Sequence, residues 1–454
     1  MRGPLSDSRP YWPGYRAVWR WHFYAGLFCV PFILWLSATG AIYLFRPQIE
    51  DWLDRPYENL SISGVLATPE EQVMTAVAAV PGSNFHYYEL PRTSHSAARV
   101  IVGKGAEEYR VYVHPQTLRV LKVINEDKRP MRIVFHLHGE LMAGDWGSRL
   151  VELAASWAIV MILTGLYLWW PRQSEKLAGV LWVRLNKGKR ILWRDLHAVT
   201  GVWVSSLALF LLLTGLPWAK GWGGYLKLVR SWGAHGAVQQ DWPTGRSSEI
   251  AQRMAMDHHS HAMGGMVHDY SPLNRLVPAA ASLRLAYPVQ VSPPMDKSNE
   301  WIAKSDAQNR TLRATVKLDP MTGAVLWRED FRQRSLVDRI VGIGVAAHEG
   351  QLFGLANQML GLFTALALAT LSISAVVLWW RRRETGVLGA PSPGNKPRWS
   401  AGFAVTVIAL AVYLPAMGVS LVAVFLLERF VLSRIPPVSR WLGLAPAQPV
   451  IREL

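Results

Sequence analysis

Long apolar runs alternate with polar stretches along this chain. Five of the runs approach the ~20 residues that a helix needs to cross ~30 Å of hydrocarbon. The pattern therefore predicts a polytopic, mainly α membrane protein. Pro415 and Gly418 interrupt the fifth run, which we expect to form one helix, with a short hairpin as the alternative. The runs cover residues 23–45, 148–170, 197–218, 350–380 and 401–427.

The first four runs repeat two spacing patterns, each built on a histidine. His22 and His197 are each followed by a glycine four residues on and by a Thr-Gly pair seventeen and eighteen residues on. His138 and His348 are each followed 31 residues later by a tryptophan pair. The chain is therefore expected to contain a duplicated two-helix unit, with one histidine near the start of each of four helices. The repeated neighbours are Gly26, Thr39-Gly40, Gly201 and Thr214-Gly215, then Trp169-Trp170 and Trp379-Trp380.

Basic residues are concentrated in short segments beside the apolar runs. The net charge of +16 could suggest a nucleic-acid partner, but the sequence contains no DNA- or RNA-binding motif. Short basic loops instead mark the cytoplasmic side of a membrane protein. The N-terminal residues 1–21, the loop after the second run and Arg381-Arg382-Arg383 all carry this signal. We therefore expect a multi-pass protein in contact with membrane lipid, with a cytoplasmic N-terminus.

This topology predicts two histidine pairs, one for each side of the membrane. Helices one and three run outward, which places His22 and His197 at the cytoplasmic face. Helices two and four run inward, which places His138 and His348 at the outer face. Two histidines on facing helices are a common way to hold haem. The sole cysteine, Cys29, lies inside an apolar run, so any haem is bound non-covalently.

Two details refine the ligand prediction. His136 is a rival to His138, which we favour because it has the same 31-residue spacing to a tryptophan pair as His348. Glycines near the histidines would let a flat macrocycle approach the backbone. These glycines are Gly26, Gly144, Gly147, Gly201 and Gly354.

The polar segments 48–136 and 219–347 have the patterns of small α+β domains. A helix is expected at 65–80, and strands at 98–102 and 109–113. Residues 111–121 and 316–326 each predict a strand, a tight turn and a second strand. In the second of these, Asp319-Pro320 begins the turn and Gly323 can take a positive φ.

A segment rich in histidine and methionine lies in the second polar stretch. Residues 254–268 hold four histidines and four methionines in fifteen residues. Imidazole and thioether together suit copper and, less specifically, other late transition metals. Iron is a second candidate for this segment. The alternatives are a flexible polar loop or a methionine-lined apolar lip. The candidate ligands are Met254, Met256, His258, His259, His261, Met263, Met266 and His268.

These motifs resemble the PepSY-associated transmembrane family, and within it the inner-membrane ferric-siderophore reductases with two b-type haems. The resemblance implies a bacterial inner-membrane protein with a four-helix haem-binding core, PepSY-like periplasmic domains and an extra C-terminal helix. Asp319-Pro320-x-Thr322-Gly323 resembles the PepSY signature, whereas His114-Pro115-x-Thr117 lacks its Asp and Gly. The other matching motifs are His22-x3-Gly26, Leu137-His138 with Gly144 and Gly147, Leu166 to Arg172, Leu196-His197-x3-Gly201, and His348-x-Gly350 with Trp379-Trp380-Arg381.

The resemblance and the histidines together give a functional hypothesis. Electrons would pass from the cytoplasmic side through haem at His22/His197 and then at His138/His348 to a periplasmic ferric-siderophore or other metal chelate, with no catalytic residue of the protein itself. The sequence has no nicotinamide- or ATP-binding motif, so the donor would be a quinol or a separate cytoplasmic reductase. The alternatives are a cupric reductase or copper-handling protein, a non-enzymatic peptide-binding or protease-regulating PepSY protein, and a transporter.

The predicted organisation follows from these assignments. It comprises residues 1–47 (N-terminus and helix one), 48–136 (first periplasmic domain), 137–172 (helix two), 173–196 (basic loop), 197–218 (helix three), 219–347 (second periplasmic domain), 348–383 (helix four), 384–399 (linker), 400–428 (helix five) and 429–454 (tail).

Overall fold

The computed structural model describes residues 14–170, 178–232, 242–262, 269–294, 299–391 and 401–444, and the backbone only for 258–262. The helices are α1 Tyr15–Tyr43, α2 Arg46–Asp54, α3 Pro69–Ala79, α4 Pro130–Glu140, α5 Gly144–Trp169, α6 Lys189–Gly215, α7 Lys220–Trp232, α8 Gly245–Ala262, α9 Leu273–Ser282, α10 Leu336–His348, α11 Leu355–Arg382, α12 Ala401–Tyr413, α13 Pro415–Phe430 and α14 Pro436–Leu442. The strands are β1 Asn84–Glu89, β2 Ala98–Lys104, β3 Glu107–Val113, β4 Val120–Asn125, β5 Val289–Ser292, β6 Trp301–Ser305, β7 Ala314–Leu318 and β8 Val325–Asp330.

Among the residues that the structure describes, five helices are long and apolar enough to cross a membrane, which confirms the prediction of a mainly helical membrane protein. The third of them begins at Lys189, two turns before the predicted start at His197. Hydropathy located the apolar part of this helix and missed its charged first turns. Those turns are stabilised by Asp195, which is fully buried and accepts from Arg184 Nε at 2.7 Å. The candidate spans are Tyr15–Tyr43, Gly144–Trp169, Lys189–Trp218, Leu355–Arg382 and Pro415–Arg434.

The prediction of one continuous fifth helix is wrong. The run divides into α12 and α13, with Leu414 between them at φ −120° and ψ 76°. Proline disfavours the helical conformation of the residue before it and cannot donate a backbone hydrogen bond, so Pro415 starts a new helix. Trp222 Nε1 donates to the Tyr413 carbonyl at 2.8 Å and so satisfies an acceptor at the end of α12.

The strands of both polar segments form one antiparallel sheet, whereas we expected two separate domains. The strand order is β4-β3-β2-β1-β5-β6-β7-β8, so each segment supplies a four-stranded meander. The meanders join where β1 pairs with β5, with Tyr88 opposite Val291. Pairing satisfies the exposed backbone groups of two edge strands. Helices α3 and α9 cover the sheet core through residues such as Val73, Leu273 and Leu276.

The two strand-turn-strand elements are present, and they use different residues for one geometry. Asp319 Oδ1 accepts from the backbone N–H groups of Met321 and Thr322 at 2.8 Å each, and Gly323 has φ +72°. At the first turn, His114 Nδ1 accepts from Gln116 and Thr117 at 3.3 Å each. Leu118 takes φ +60° where glycine would be expected. The histidine therefore replaces the aspartate as the turn acceptor.

The chain divides into two compact units, described separately below. The first comprises residues 1–38, 149–225 and 363–454, and the second comprises 39–148 and 226–362.

Candidate functional site

The first unit brings His22 and His197 together. His22 lies on α1 and His197 lies on α6, although the two residues are far apart in sequence. Their ring centroids are 6.3 Å apart and their planes are inclined by 80°. The pairing expected from the sequence repeat is therefore present in the geometry.

Each imidazole of this pair contacts a facing helix through Nδ1. His22 Nδ1 lies 3.1 Å from the Met161 carbonyl oxygen and 3.0 Å from Thr164 Oγ1. A carbonyl oxygen only accepts hydrogen bonds, so Nδ1 carries the proton. Thr164 Oγ1 donates its own proton to the Val160 carbonyl at 2.9 Å, which leaves its oxygen free to accept. His22 Nε2 is then the nitrogen with the lone pair, the form that binds a metal.

His197 repeats this arrangement on the second copy of the helix pair. Its Nδ1 lies 3.2 Å from the Leu371 carbonyl oxygen and 3.3 Å from Ser374 Oγ. Ser374 Oγ donates to the Leu371 carbonyl at 2.7 Å. Met161 and Leu371 are equivalent in the repeat, as are Thr164 and Ser374. In both imidazoles of the pair, Nε2 is therefore the nitrogen with the lone pair that can bind a metal.

The second unit brings His138 and His348 together. Their ring centroids are again 6.3 Å apart, with the planes inclined by 82°. His138 Nδ1 lies 3.0 Å from Thr39 Oγ1, a hydroxyl near the end of α1. The pairing of His138 with His348 that the sequence predicts is therefore also present in the geometry.

The position of this second pair corrects one prediction. Neither histidine begins a membrane-spanning helix. His138 lies in the last turn of α4 and His348 is the last residue of α10, and α5 and α11 follow after a turn. Each turn contains a glycine six residues after the histidine, Gly144 with φ +58° and Gly354 with φ +59°. The equal angles extend the duplication from sequence to backbone conformation.

The geometry of both pairs fits a metal held between the rings. With metal–nitrogen distances of about 2.0–2.1 Å on each side, the two ring centroids would lie roughly 6 Å apart. Edge-to-face packing of two rings gives a similar distance. The decisive feature is therefore the hydrogen bonding of Nδ1, which fixes the imidazoles of the first pair in the metal-binding tautomer.

Two glycines make room for the imidazoles. A Cβ atom on Gly165 would lie 3.1 Å from His22 Cε1, and one on Gly40 would lie 3.1 Å from His138 Cε1. Each glycine directly follows a threonine whose hydroxyl contacts the same ring. The sequence analysis missed Thr164-Gly165, although the Thr-Gly pair that recurs at 39–40 and 214–215 was a signal for it.

The glycines expected to accommodate a macrocycle have other contacts. A Cβ atom on Gly26 would meet Met161 Sδ at 3.7 Å, and one on Gly201 would meet Leu371 Cδ1 at 3.3 Å. The two positions are equivalent in the repeat, and each faces a side chain of another helix; their role toward a macrocycle stays a prediction. A side chain at Gly147 would collide with the Glu140 carbonyl, so this glycine permits the close turn between α4 and α5.

His136, the rival ligand, has protein partners at both ring nitrogens. Nδ1 lies 3.2 Å from Glu140 Oε1, and Nε2 lies 3.4 Å from Arg246 Nη1 and 3.6 Å from Asp127 Oδ1. The side chain is buried. This arrangement favours His138 as the ligand and gives His136 a structural role.

The His/Met-rich segment lies mostly outside the described residues. Met254 and Met256 are on α8, and Met254 is exposed. The side chains of His258, His259 and His261, and all of Met263, Met266 and His268, are beyond the described part. Metal binding there stays a prediction. Within the residues that the structure describes, no three His, Cys, Asp or Glu side chains form a metal-binding group.

The described part of α8 is anchored to the first polar segment. Arg253 donates to Asp127 through Nη1 at 2.9 Å and through Nη2 at 3.1 Å. One turn further on, Asp257 accepts from Asn84 Nδ2 at 2.6 Å and from the Gly105 backbone N–H at 3.0 Å. These contacts fix the helix that leads into the His/Met-rich segment.

A comparison with known protein families identifies the family of this chain. The family model described as the PepSY-associated TM region matches residues 19–382. The chain belongs to this family. The match confirms the resemblance to this family, though not to a particular group within it, and it covers all four histidines of the two pairs, whereas α12 to α14 lie beyond it. No curated protein sequence matches the chain.

Proposed function

We propose that this PepSY-associated TM protein is a di-haem b oxidoreductase of the inner membrane that passes electrons to a periplasmic metal chelate. The observation that carries the proposal is the pair His22 and His197, in which both Nδ1 atoms contact repeat-equivalent acceptors. Nε2 of these two residues would hold one haem b, and His138 and His348 would hold the other. Haem bound at these positions would supply reversible one-electron transfer.

The chain's own residues orient the ligands. The Met161 and Leu371 carbonyls hold the protons on Nδ1 and fix the direction of each ring. A hydrogen bond of this kind also increases the basicity of the ligating nitrogen. Because these acceptors belong to rigid helices, each ring is oriented before a metal arrives.

A ferric-siderophore is the proposed acceptor. The family resemblance supports this choice, and iron chemistry makes it reasonable. Reduction of Fe(III) to Fe(II) by one electron weakens the hold of hard oxygen ligands, so the iron is released. The electron would come from a quinol or from a separate cytoplasmic reductase.

A haem count on full-length protein tests the proposal. We expect about two b-type haems per chain in the pyridine haemochromogen assay, with six-coordinate spectra. His22→Ala and His138→Ala should each lose one haem and keep the other. His95→Ala, at an exposed histidine outside both pairs, should keep both. Absence of haem from protein made in haem-sufficient cells would refute the proposal.

The acceptor is tested separately. Dithionite-reduced protein, freed of excess reductant under anaerobic conditions, is mixed with a ferric hydroxamate or with a cupric chelate. Rapid reoxidation by the ferric chelate is expected. If the cupric chelate reoxidises the protein and the ferric chelate does not, the cupric reductase alternative replaces this proposal.

A further inference from the structure

A small polar cavity lies in the second unit, between the end of α1, α2 and α4. Its volume is about 40 Å³. Three arginines and two glutamates line it, so the lining carries one more positive than negative charge. This volume is far below that of pockets for drug-sized ligands, and it suits only a small group such as a carboxylate. The lining residues are Tyr43, Arg46, Glu50, Glu126, Arg129, Met131, Arg132 and Phe135.

The cavity lies one helical turn from the outer histidine pair. Thr39 on α1 contacts His138 on α4. Four residues after Thr39, Tyr43 faces Phe135 on α4, with ring centroids 6.0 Å apart. One turn of helix spans about 5.4 Å, so the two contacts between α1 and α4 lie next to each other. A substituent of a macrocycle held at His138 would therefore be close enough to reach the cavity.

Arg46 and Arg129 have N–H groups that make no close hydrogen bond to a described residue. Arg46 donates from Nε to Glu50 at 3.1 Å and from Nη1 to the Tyr43 hydroxyl at 3.0 Å, and within the described residues its Nη2 donates to none. The Arg129 side chain is only 13% exposed, and its one hydrogen bond to a described residue, Glu126, is 3.4 Å long. Its Nη2 has only longer ion pairs, to Glu50 at 3.7 Å and to Asp54 at 4.0 Å. A guanidinium has five N–H donors, and desolvated donors normally have acceptors. Two arginines therefore have donors for an incoming anion.

The third arginine adds to the positive potential. Arg132 lies over the Phe135 ring, 4.9 Å from its centroid. Burial, and then repulsion by Arg253, lower the pKa of Arg132, although Asp127 at 3.6 Å and Glu249 form ion pairs with it. A carboxylate in the cavity would be a further anion near this guanidinium. A planar carboxylate matches the forked donors of arginine, with two parallel hydrogen bonds.

We propose that the cavity binds a carboxylate through Arg46 and Arg129, and that, given the proposed function, this carboxylate is a propionate of the haem held at His138 and His348. The other source of the same chemistry is a free carboxylate, such as that of a chelating acid. Either carboxylate would add hydrogen bonds at N–H groups of Arg46 and Arg129 that make none to the described residues.

The test compares two porphyrins in full-length protein prepared without haem. A His22→Ala background restricts binding to the outer pair. Protohaem and its dimethyl ester, which has no carboxylates, are titrated into this protein. We expect protohaem to bind about tenfold or more tightly than the ester, as for charged hydrogen bonds. Adding Arg46→Gln and Arg129→Gln should bring the ratio of the two affinities close to one.

The ratio also guards against damage to the fold, because a distorted site would weaken both porphyrins equally. Arg328→Gln, at an exposed arginine paired with Asp330 on β8, should leave the ratio unchanged. A ratio that persists in the double arginine variant would overturn the propionate assignment. Equal affinities of protohaem and its ester in the His22→Ala parent would also overturn this assignment. If sodium citrate binds to the cavity in that case, the cavity takes a free carboxylate and no propionate. If neither porphyrin binds, the proposed function itself fails, and this inference fails with it.

Discussion

Replacing Gly40 with alanine gives a direct test of the outer histidine pair. The new Cβ atom would lie 3.1 Å from His138 Cε1 and 3.5 Å from Nδ1, whereas ordinary contacts begin at 3.4 Å. The imidazole must therefore move by about 0.3 Å or more, or the helices must separate by that amount. The hydrogen bond between Thr39 and His138, now 3.0 Å long, would be distorted as well.

The size of the effect follows from the tolerance of a metal site. Metal–ligand distances are held within about 0.2 Å, so the required shift exceeds the permitted range. Disturbing the partners that orient a ligand typically costs 10–100-fold in affinity, or about 1.4–2.7 kcal/mol. The helix propensity of alanine acts in the opposite direction, by up to about 1 kcal/mol. Gly40→Ala should therefore weaken binding of the haem proposed at His138 and His348, without destabilising the helix.

The assay is haem titration of protein prepared without haem, in which the haem proposed at His22 and His197 is the internal reference. Gly139→Ala is the matched control, because it lies beside His138 and its Cβ atom would meet no described atom within 4 Å. We expect the control to behave as the parent. Equal outer-haem affinity in Gly40→Ala and the parent would refute the steric argument, as would an equal loss in the control.

Three further predictions concern other parts of the chain. Thr164→Val removes one acceptor from His22 Nδ1. It should raise the midpoint potential of the haem proposed at His22 and His197 by up to about 59 mV, a tenfold change in the reduction equilibrium. Thr164→Ser keeps the hydroxyl and should leave the potential unchanged in a redox titration. Arg110 and Arg99 hold the pKa of the Glu89 carboxyl at about 2, although burial opposes this shift. Up to about 3 kcal/mol of folding stability should therefore be lost as the pH falls from 4.5 to 2. Glu89→Gln should be less stable at pH 7 and should lack this loss, and melting curves of the variant that still show the loss would contradict the assignment. Full-length protein should bind copper at micromolar concentration through the His/Met-rich segment, and His258→Ala with His261→Ala should weaken it; calorimetry showing no binding of copper or iron would exclude the site.

Sequence periodicity was enough to find the spans, most strands and both histidine pairs. The pairs were predictable because the spacings of His22 and His197, and of His138 and His348, are repeated in the sequence. Helical direction then decides which histidines share a side. Local signals also placed α3, whose Thr68 and Glu71 form a capping box.

The errors arose where distant contacts or unusual turns decide the structure. The end of α4 depends on Leu141 and Met142, which take φ +52° and +57° without being glycine. No turn signal marks them in the sequence, so His138 was placed on the following helix. The joined sheet depends on pairing between Tyr88 and Val291. Contacts between such distant positions leave no trace in local periodicity.

The repeat also explains a difference within the inner pair. His22 contacts Thr164, which is followed by Gly165, whereas His197 contacts Ser374, which is followed by Ala375. The hydrogen bonds to His197 Nδ1 are 3.2 and 3.3 Å long, against 3.1 and 3.0 Å for His22. The two copies therefore keep one hydrogen-bonding scheme although the hydroxyl residue and the residue after it differ between them.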